Sequence, residues 1–258
     1  TANIGAGCTI PGMQQADNCE LYAIAGRNME KAEQFKEKYH FQKAYGSYEE
    51  LLADPEVEAV YIPLPNTLHY EWTIRALKSG KHVLCEKSIT LNAKELEEAK
   101  QLAEENGVVL AEAMTIYHMP LYKKLQEVIQ SGKLGKLCMA QMNFGSYKEY
   151  DMQNRFFNPN LAGGALLDIG VYAISFIRSF MSCTPDQVVS QVKFAPSGVD
   201  EQAGILLMNP AREMATIALT LHAKQPKRGM LAFENGYVEI YYYPRAEKAV
   251  ITYTEDAS

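Results

Sequence analysis

The chain predicts an α/β domain with a doubly wound parallel sheet, followed by a second domain of antiparallel strands and helices. In the first half, short apolar runs alternate with amphipathic helical stretches, the rhythm of βαβ units. Those runs are apolar throughout, as strands covered by helices on both faces are. After about residue 115 the rhythm changes, and strands with alternating apolar and polar residues dominate.

The elements follow in order. Leu21 to Ala25 is the first apolar run, and Ala32, Phe35 and Tyr39 then recur at helical spacing. Ser47 with Glu50 three residues on forms a capping box for a short helix to Leu52. Val57 to Ile62 is the next strand, and the helix from Asn66 to Lys78 is stopped by Gly80. Strand 81–85 and helix 93–105 follow, closed by Asn106-Gly107, then strand 108–113. Beyond residue 115 the reading is a helix over 120–130 and strands near 136–147, 188–195, 202–208, 214–221, 228–234, 236–242 and 248–253. One apolar helix, 165–180, interrupts them. The expected domains are 1–115, binding a dinucleotide, and 116–258, serving substrate and oligomerisation.

The totals narrow the function. With 258 residues and 47% hydrophobic content, two medium domains can each bury a core. The net charge of −6 is spread without a basic block, so no nucleic acid partner is expected. Cys8, Cys19, Cys85, Cys138 and Cys183 form no C-x-x-C pair; buried, reduced thiols and a cytoplasmic location are expected. No apolar run approaches ~20 residues, so no membrane span is expected. The chain opens on Thr1-Ala2-Asn3-Ile4-Gly5, which reads as the middle of a glycine turn, and residues are expected to be missing at both ends.

Ligands of open parallel sheets bind beyond the carboxyl ends of the strands. Four stretches fall there. Thr1, Ala2, Asn3 and Ile4 could follow a phosphate-binding turn or be a flexible terminus. Arg27, just past the first strand, suits a 2′-phosphate or is simply solvated. Pro63 and Pro65 turn the chain sharply, Asn66 or Thr67 can cap the next helix, and His69 is either a ligand or a satisfied structural histidine. "HVLCEK" delivers Glu86 and Lys87 to a strand end, where Lys87 is either a fixed cation for a hydroxyl oxygen or the partner of Glu86.

The second half adds "GGALLDIGVY". Two glycines permit a tight approach before a helix. Asp168 and Tyr172, four apart, share one face of an apolar helix, with Gly170 between them at a cost of about 1 kcal/mol against Ala. The trio points to a cavity wall; a buried Asp–Tyr hydrogen bond is the structural alternative. Arg155, just upstream, reaches substrate or is a surface arginine.

The ordered set "AGRNMEKAEQF", "YGSYEELLADPEVEAVYIPLPNTLHYE", "GKHVLCEK", "EAM", "GKLGKL" and "GGALLDIGVY" resembles the glucose–fructose oxidoreductase/inositol dehydrogenase (Gfo/Idh/MocA) family over nearly the whole chain. The resemblance implies a Rossmann-type domain and an α+β domain with a large, mostly antiparallel open sheet that commonly forms a homodimer or tetramer interface. It implies NADP, or NAD, as cofactor, held by Thr1, Ala2, Asn3, Ile4, Arg27, Pro63, Asn66, His69, Glu86 and Lys87. Lys87, Asp168 and Tyr172 correspond to the family's catalytic set, and Arg155, Asp168 and Tyr172 would meet substrate. Tyr172 is the expected acid/base, its phenol brought towards the working pH by the Lys87 ammonium. A tyrosine there is similar to the dihydrodiol and xylose dehydrogenase branch. The implied activity is hydride transfer between nicotinamide and a hydroxyl-bearing carbon of a sugar, polyol or diol; a non-catalytic dinucleotide-binding regulator is the alternative. The chain departs from the family pattern in lacking its first strand and glycine, in stopping before its last elements, and at Ser88. There the family has proline, so a less constrained backbone is expected at Lys87.

Overall fold

The computed structural model describes residues 4–254. It divides into two compact units, Thr1–Ala113 and Met114–Ser258.

In the first unit a π turn, Gly5–Thr9, runs directly into α1 (Ile10–Met13). Then come β1 (Ala23–Ala25), α2 (Met29–Tyr39), β2 (Lys43–Tyr45), α3 (Tyr48–Ala53) and β3 (Ala59–Ile62). α4 (Asn66–Lys78), β4 (His82–Cys85), α5 (Ala93–Glu105) and β5 (Leu110–Glu112) complete it. All strand pairs are parallel, in two sheets of order β1-β2 and β3-β4-β5. Local signals act as the sequence predicts. The side chains of Asn28, Ser47 and Asn92 each accept the backbone N–H three residues on and so cap α2, α3 and α5. Ala76 and Ala99, essentially without exposed surface, let α4 and α5 lie close to Val60, Val83 and Cys85 of the sheet.

One strand was not anticipated, and one expectation needs correction. β2 carries no apolar run and was unreadable. Its partners are remote, since Asp54 accepts from Lys43 Nζ at 2.9 Å and from the Tyr45 hydroxyl at 2.5 Å. The cysteines are not generally buried: Cys85 is, Cys183 is half-buried, and Cys8, Cys19 and Cys138 are exposed.

The second unit holds α6 (Pro120–Gln130), β6 (Leu137–Gly145), α7 (Val171–Phe180), β7 (Gln187–Phe194) and β8 (Asp200–Met208). β9 (Met214–Thr220), β10 (Arg228–Phe233), β11 (Gly236–Tyr241) and β12 (Ala249–Tyr253) follow. They make one sheet in the order β12-β11-β10-β6-β9-β8-β7. Every pair is antiparallel except β6 with β9. One face is covered by α7, whose Ala173, Phe176, Ile177 and Phe180 join Met142, Ile217, Leu219 and Leu231 in the core.

Contrary to the sequence reading, one helical run, Pro159–Phe180, is long and apolar enough to cross a membrane by length and composition. Here its apolar face is spent on the sheet. It is also not one regular helix: a 3-10 turn (Pro159–Leu161) and a π turn (Leu166–Gly170) precede α7.

Candidate active site

The register of the three-stranded sheet aligns Ile62, Cys85 and Glu112, so the chain leaves β3, β4 and β5 at one edge. Glu86 continues the ladder through its N–H to the Ile62 carbonyl at 3.0 Å. Its Oε1 accepts the Tyr61 hydroxyl at 2.6 Å, and that hydroxyl accepts from Thr9 at 2.9 Å. Burial, then the Glu86 carboxylate, hold the Tyr61 phenol well above its usual range, so it remains a donor. This relay ties the first helical segment to Glu86.

The segment after Lys87 is held from two sides. The Lys87–Ser88 peptide bond is cis. The Ser88 carbonyl lies 2.7 Å from His69 Nδ1, and His69 Nε2 lies 2.7 Å from the Leu64 carbonyl. Both partners only accept, so the imidazolium serves both and the neutral ring one. On the other side Ile89 donates its N–H to Glu112 Oε1 at 3.0 Å. Burial pushes the Glu112 carboxyl upward, against the Ile89 amide and the nearby His69 and Lys87 charges. The backbone beyond Lys87 is therefore restrained by His69 and Glu112 although Ser88 stands where the family has proline. His69 is fully buried and acts as a brace for both loops.

The other predicted cofactor residues are distributed along the same unit. Pro63 follows β3. Asn66 is the first residue of α4 and Pro65 its N-cap, so neither Asn66 nor Thr67 supplies a side-chain cap, a correction to the sequence reading. Arg27 is exposed just past β1, in the two-stranded sheet. Ile4 is exposed and helical, while Thr1, Ala2 and Asn3 lie outside the described residues.

In the second unit Asp168 sits in the π turn and Tyr172 in the first turn of α7. Arg155 Nη1 is 3.2 Å from Asp168 Oδ1, with the Asp168 side chain 13% exposed. The structure thus joins Arg155 to Asp168, a pairing the sequence left open. The Arg155 guanidinium also lies over the Phe156 ring, 4.1 Å from its centroid. The Tyr172 ring stacks on Phe144 with centroids 5.7 Å apart and an interplanar angle of 6°. The buried Tyr243 donates its hydroxyl to the Tyr172 carbonyl. Gly170 is not part of a cavity wall: a Cβ there would come within 3.0 Å of Leu219 Cδ1 on β9, so its task is close packing of the helix on the sheet. Among the described residues no group of three or more metal-ligating side chains occurs.

The profile of the oxidoreductase family with an NAD-binding Rossmann fold matches residues 1–114, and that of the GFO/IDH/MocA C-terminal domain matches residues 122–241. The chain belongs to the Gfo/Idh/MocA oxidoreductase family. Within it, an uncharacterized oxidoreductase of Rhizobium meliloti is 35% identical over 85% of this chain and 66% of its own length. Mouse trans-1,2-dihydrobenzene-1,2-diol dehydrogenase is 33% identical over 86% of this chain and 66% of its own. The D-xylose 1-dehydrogenase (NADP(+)) 2 of Haloferax volcanii is 40% identical over 73% and 57%. The chain therefore spans just under two thirds of the length of the first two relatives. A 3-ketoreductase from Actinomadura kijaniata, solved with NADP and TDP-benzene, superposes with a TM-score of 0.87 at 25% identity, covering 98% of this chain and 81% of that one. Both units thus have the Gfo/Idh/MocA fold, a Rossmann-type parallel part and a large, mostly antiparallel sheet.

Sequence reasoning missed Tyr61 and Glu112, which contact Glu86 and Ile89 in the first unit, and Phe144 and Tyr243, which contact Tyr172 in the second. A signal existed for Glu112: it ends β5 in "EAM", and Glu86 directly follows β4 in "CEK". Tyr243 had none, since it lies 71 residues from its partner Tyr172.

Proposed function

We propose that this protein transfers hydride between NADP and a hydroxyl-bearing carbon of a sugar, polyol or diol. The observation that carries this reading is the ion-paired Asp168 and the stacked Tyr172 on consecutive turns of one helix, in a chain of an NAD-binding oxidoreductase family. The residues fit a dinucleotide. No side chain caps the N-terminus of α4, so a helix start without a competing side-chain acceptor follows β3, and Arg27 is exposed where a 2′-phosphate would lie. The nicotinamide would accept or supply the hydride.

The chain's own residues manage the hydroxyl group. Tyr172, fixed by Phe144 and Tyr243, gives or takes the hydroxyl proton at its phenolic oxygen. Lys87 supplies a cation that favours the deprotonated hydroxyl, and His69 and Glu112 fix the backbone beyond it. Asp168, held by Arg155, orients a substrate hydroxyl. Assembly through the outer face of the large sheet fits the exposed Val189, Leu206, Tyr237, Tyr241 and Val250.

The test uses full-length protein with NADP and a panel of aldoses and diols, following absorbance of the reduced cofactor. Tyr172→Phe and Lys87→Met should each lower kcat by ~10²-fold or more while NADP still binds. Turnover unchanged in either variant refutes the assignment. Arg27→Asp should abolish a preference for NADP over NAD.

A further inference from the structure

The helix that carries Asp168 and Tyr172 begins without a cap of its own. Ala165 stands at its N-cap position, is helical, and offers no side-chain acceptor. The first-turn amides of any helix have no partner inside it and must find one elsewhere. Here the partner comes from a different element. Asp200, first residue of β8, lies 34 positions downstream, and its Oδ2 accepts the Leu166 N–H at 2.6 Å.

The glycine pair is shaped around this contact. A Cβ on Gly164 would overlap Asp200 Oδ1, and Gly164 has φ +120, where L side chains are strained. A Cβ on Gly163 would meet the carbonyl oxygens of Arg155 and Phe156 at 2.9 Å. The two glycines, read from sequence as permitting a tight approach before the helix, admit the Asp200 carboxylate on one side and the Arg155 turn on the other. Both neighbours bear on Asp168, one through the helix start and one through the ion pair at 3.2 Å.

We propose that Asp200 is a positioning residue for the reaction: its carboxylate fixes the helix start, and so sets where Asp168 and Tyr172 present their side chains. This rests on the hydride-transfer reading above. Burial pushes the Asp200 carboxyl upward while the Leu166 amide opposes the shift, which is the balance expected of an anion held by backbone amides. The rest of the helix has other anchors, namely Tyr243 on the Tyr172 carbonyl and Gly170 on β9. Loss of Asp200 therefore loosens the first turn and leaves the fold standing.

The test compares Asp200→Ala, Asp200→Asn and wild type as full-length protein. Asp200→Ala should lower kcat by ~10- to 100-fold, the cost of a misplacement near 1 Å, with the KM for cofactor within about twofold. Asp200→Asn keeps an oxygen for the Leu166 amide and should recover most of kcat. Hydrogen exchange of the 165–169 amides should rise in Asp200→Ala and stay near wild type in Asp200→Asn. Wild-type kcat in folded Asp200→Ala overturns the proposal, as does unchanged exchange at 165–169. Should Asp200→Ala not fold, wild type alone decides: an unprotected Leu166 amide overturns the proposal. Exchange needs no turnover, so a protein with no activity on any hydroxyl substrate would refute the hydride-transfer reading while exchange still judges the cap.

Discussion

Replacing His69 by Phe keeps a ring in the same buried space and removes both nitrogens. The Ser88 and Leu64 carbonyls, each 2.7 Å from the ring, then lose a partner. A buried acceptor left unsatisfied costs about 1–3 kcal/mol. Ser88 is buried and Leu64 half-buried, so the full penalty applies to the first and a fraction to the second. For an imidazolium, which serves both carbonyls, the sum is about 2–4 kcal/mol, and for a neutral ring, which serves one, about 1–3 kcal/mol, of the roughly 5–15 kcal/mol that holds a protein folded. The loss falls where it bears on function. The segment after Lys87 would then lose the His69 contact and keep that of Ile89 with Glu112. Urea titration monitored by fluorescence should give the stability change at unaltered slope. Steady-state kinetics on the folded variant should show kcat reduced by about tenfold or more. A variant within about 0.5 kcal/mol of wild type, with full kcat, would refute the idea that His69 braces the Lys87 segment.

Three further outcomes follow from the packing and the charges. Gly229→Ala places a methyl 2.8 Å from Phe176 Cε2, in a fully buried contact between β10 and α7. It should destabilise by about 1–3 kcal/mol, read as a lowered urea midpoint. The Asp54 carboxyl is held well below the usual range by Lys43, then Tyr45, then the Glu56 amide. A depressed carboxyl contributes stability above its unfolded value of about 4 and loses it as the pH falls. Wild type should therefore weaken below about pH 4 more steeply than Asp54→Asn, measured as urea midpoint against pH. Burial pushes the Cys85 thiol up to about 12. An alkylating reagent at neutral pH should label Cys8, Cys19 and Cys138 within the time Cys85 stays unmodified, as counted by mass spectrometry.

Helix limits in the first unit were largely legible. α4 and α5 match the expected spans because Asn92, Gly80 and Gly107 act within one turn of the chain. β2 was not, since "KAY" has no periodicity and is held by β1 and Asp54. The place of β6 between β10 and β9 was equally unreadable, because alternation says which face is buried and not which strand lies alongside. The buried-thiol expectation failed for a related reason. Apolar neighbours in sequence do not ensure a covered side chain, as exposed Cys138 in β6 shows.

The candidate site divides in the same way. Asp168 and Tyr172 stood out in sequence because a charge and a phenol at helical spacing conflict with an apolar helix. The same local logic marked Lys87 at a strand end. What each of these residues touches was decided by tertiary structure. Arg155 could have lacked a protein partner, His69 could have been a ligand, and the glycine pair could have approached any neighbouring element. Chain contacts at separations of 13, 19 and 34 residues settled these questions: Arg155 on Asp168, His69 on Ser88, Asp200 on Leu166. Capping, periodicity and chain breaks act over three or four residues, so the order of amino acids alone determined the periodic elements and the chemical groups they carry. Hydrogen-bond partners across the fold depend on how the sheets close the chain on itself, and only the tertiary structure decided those.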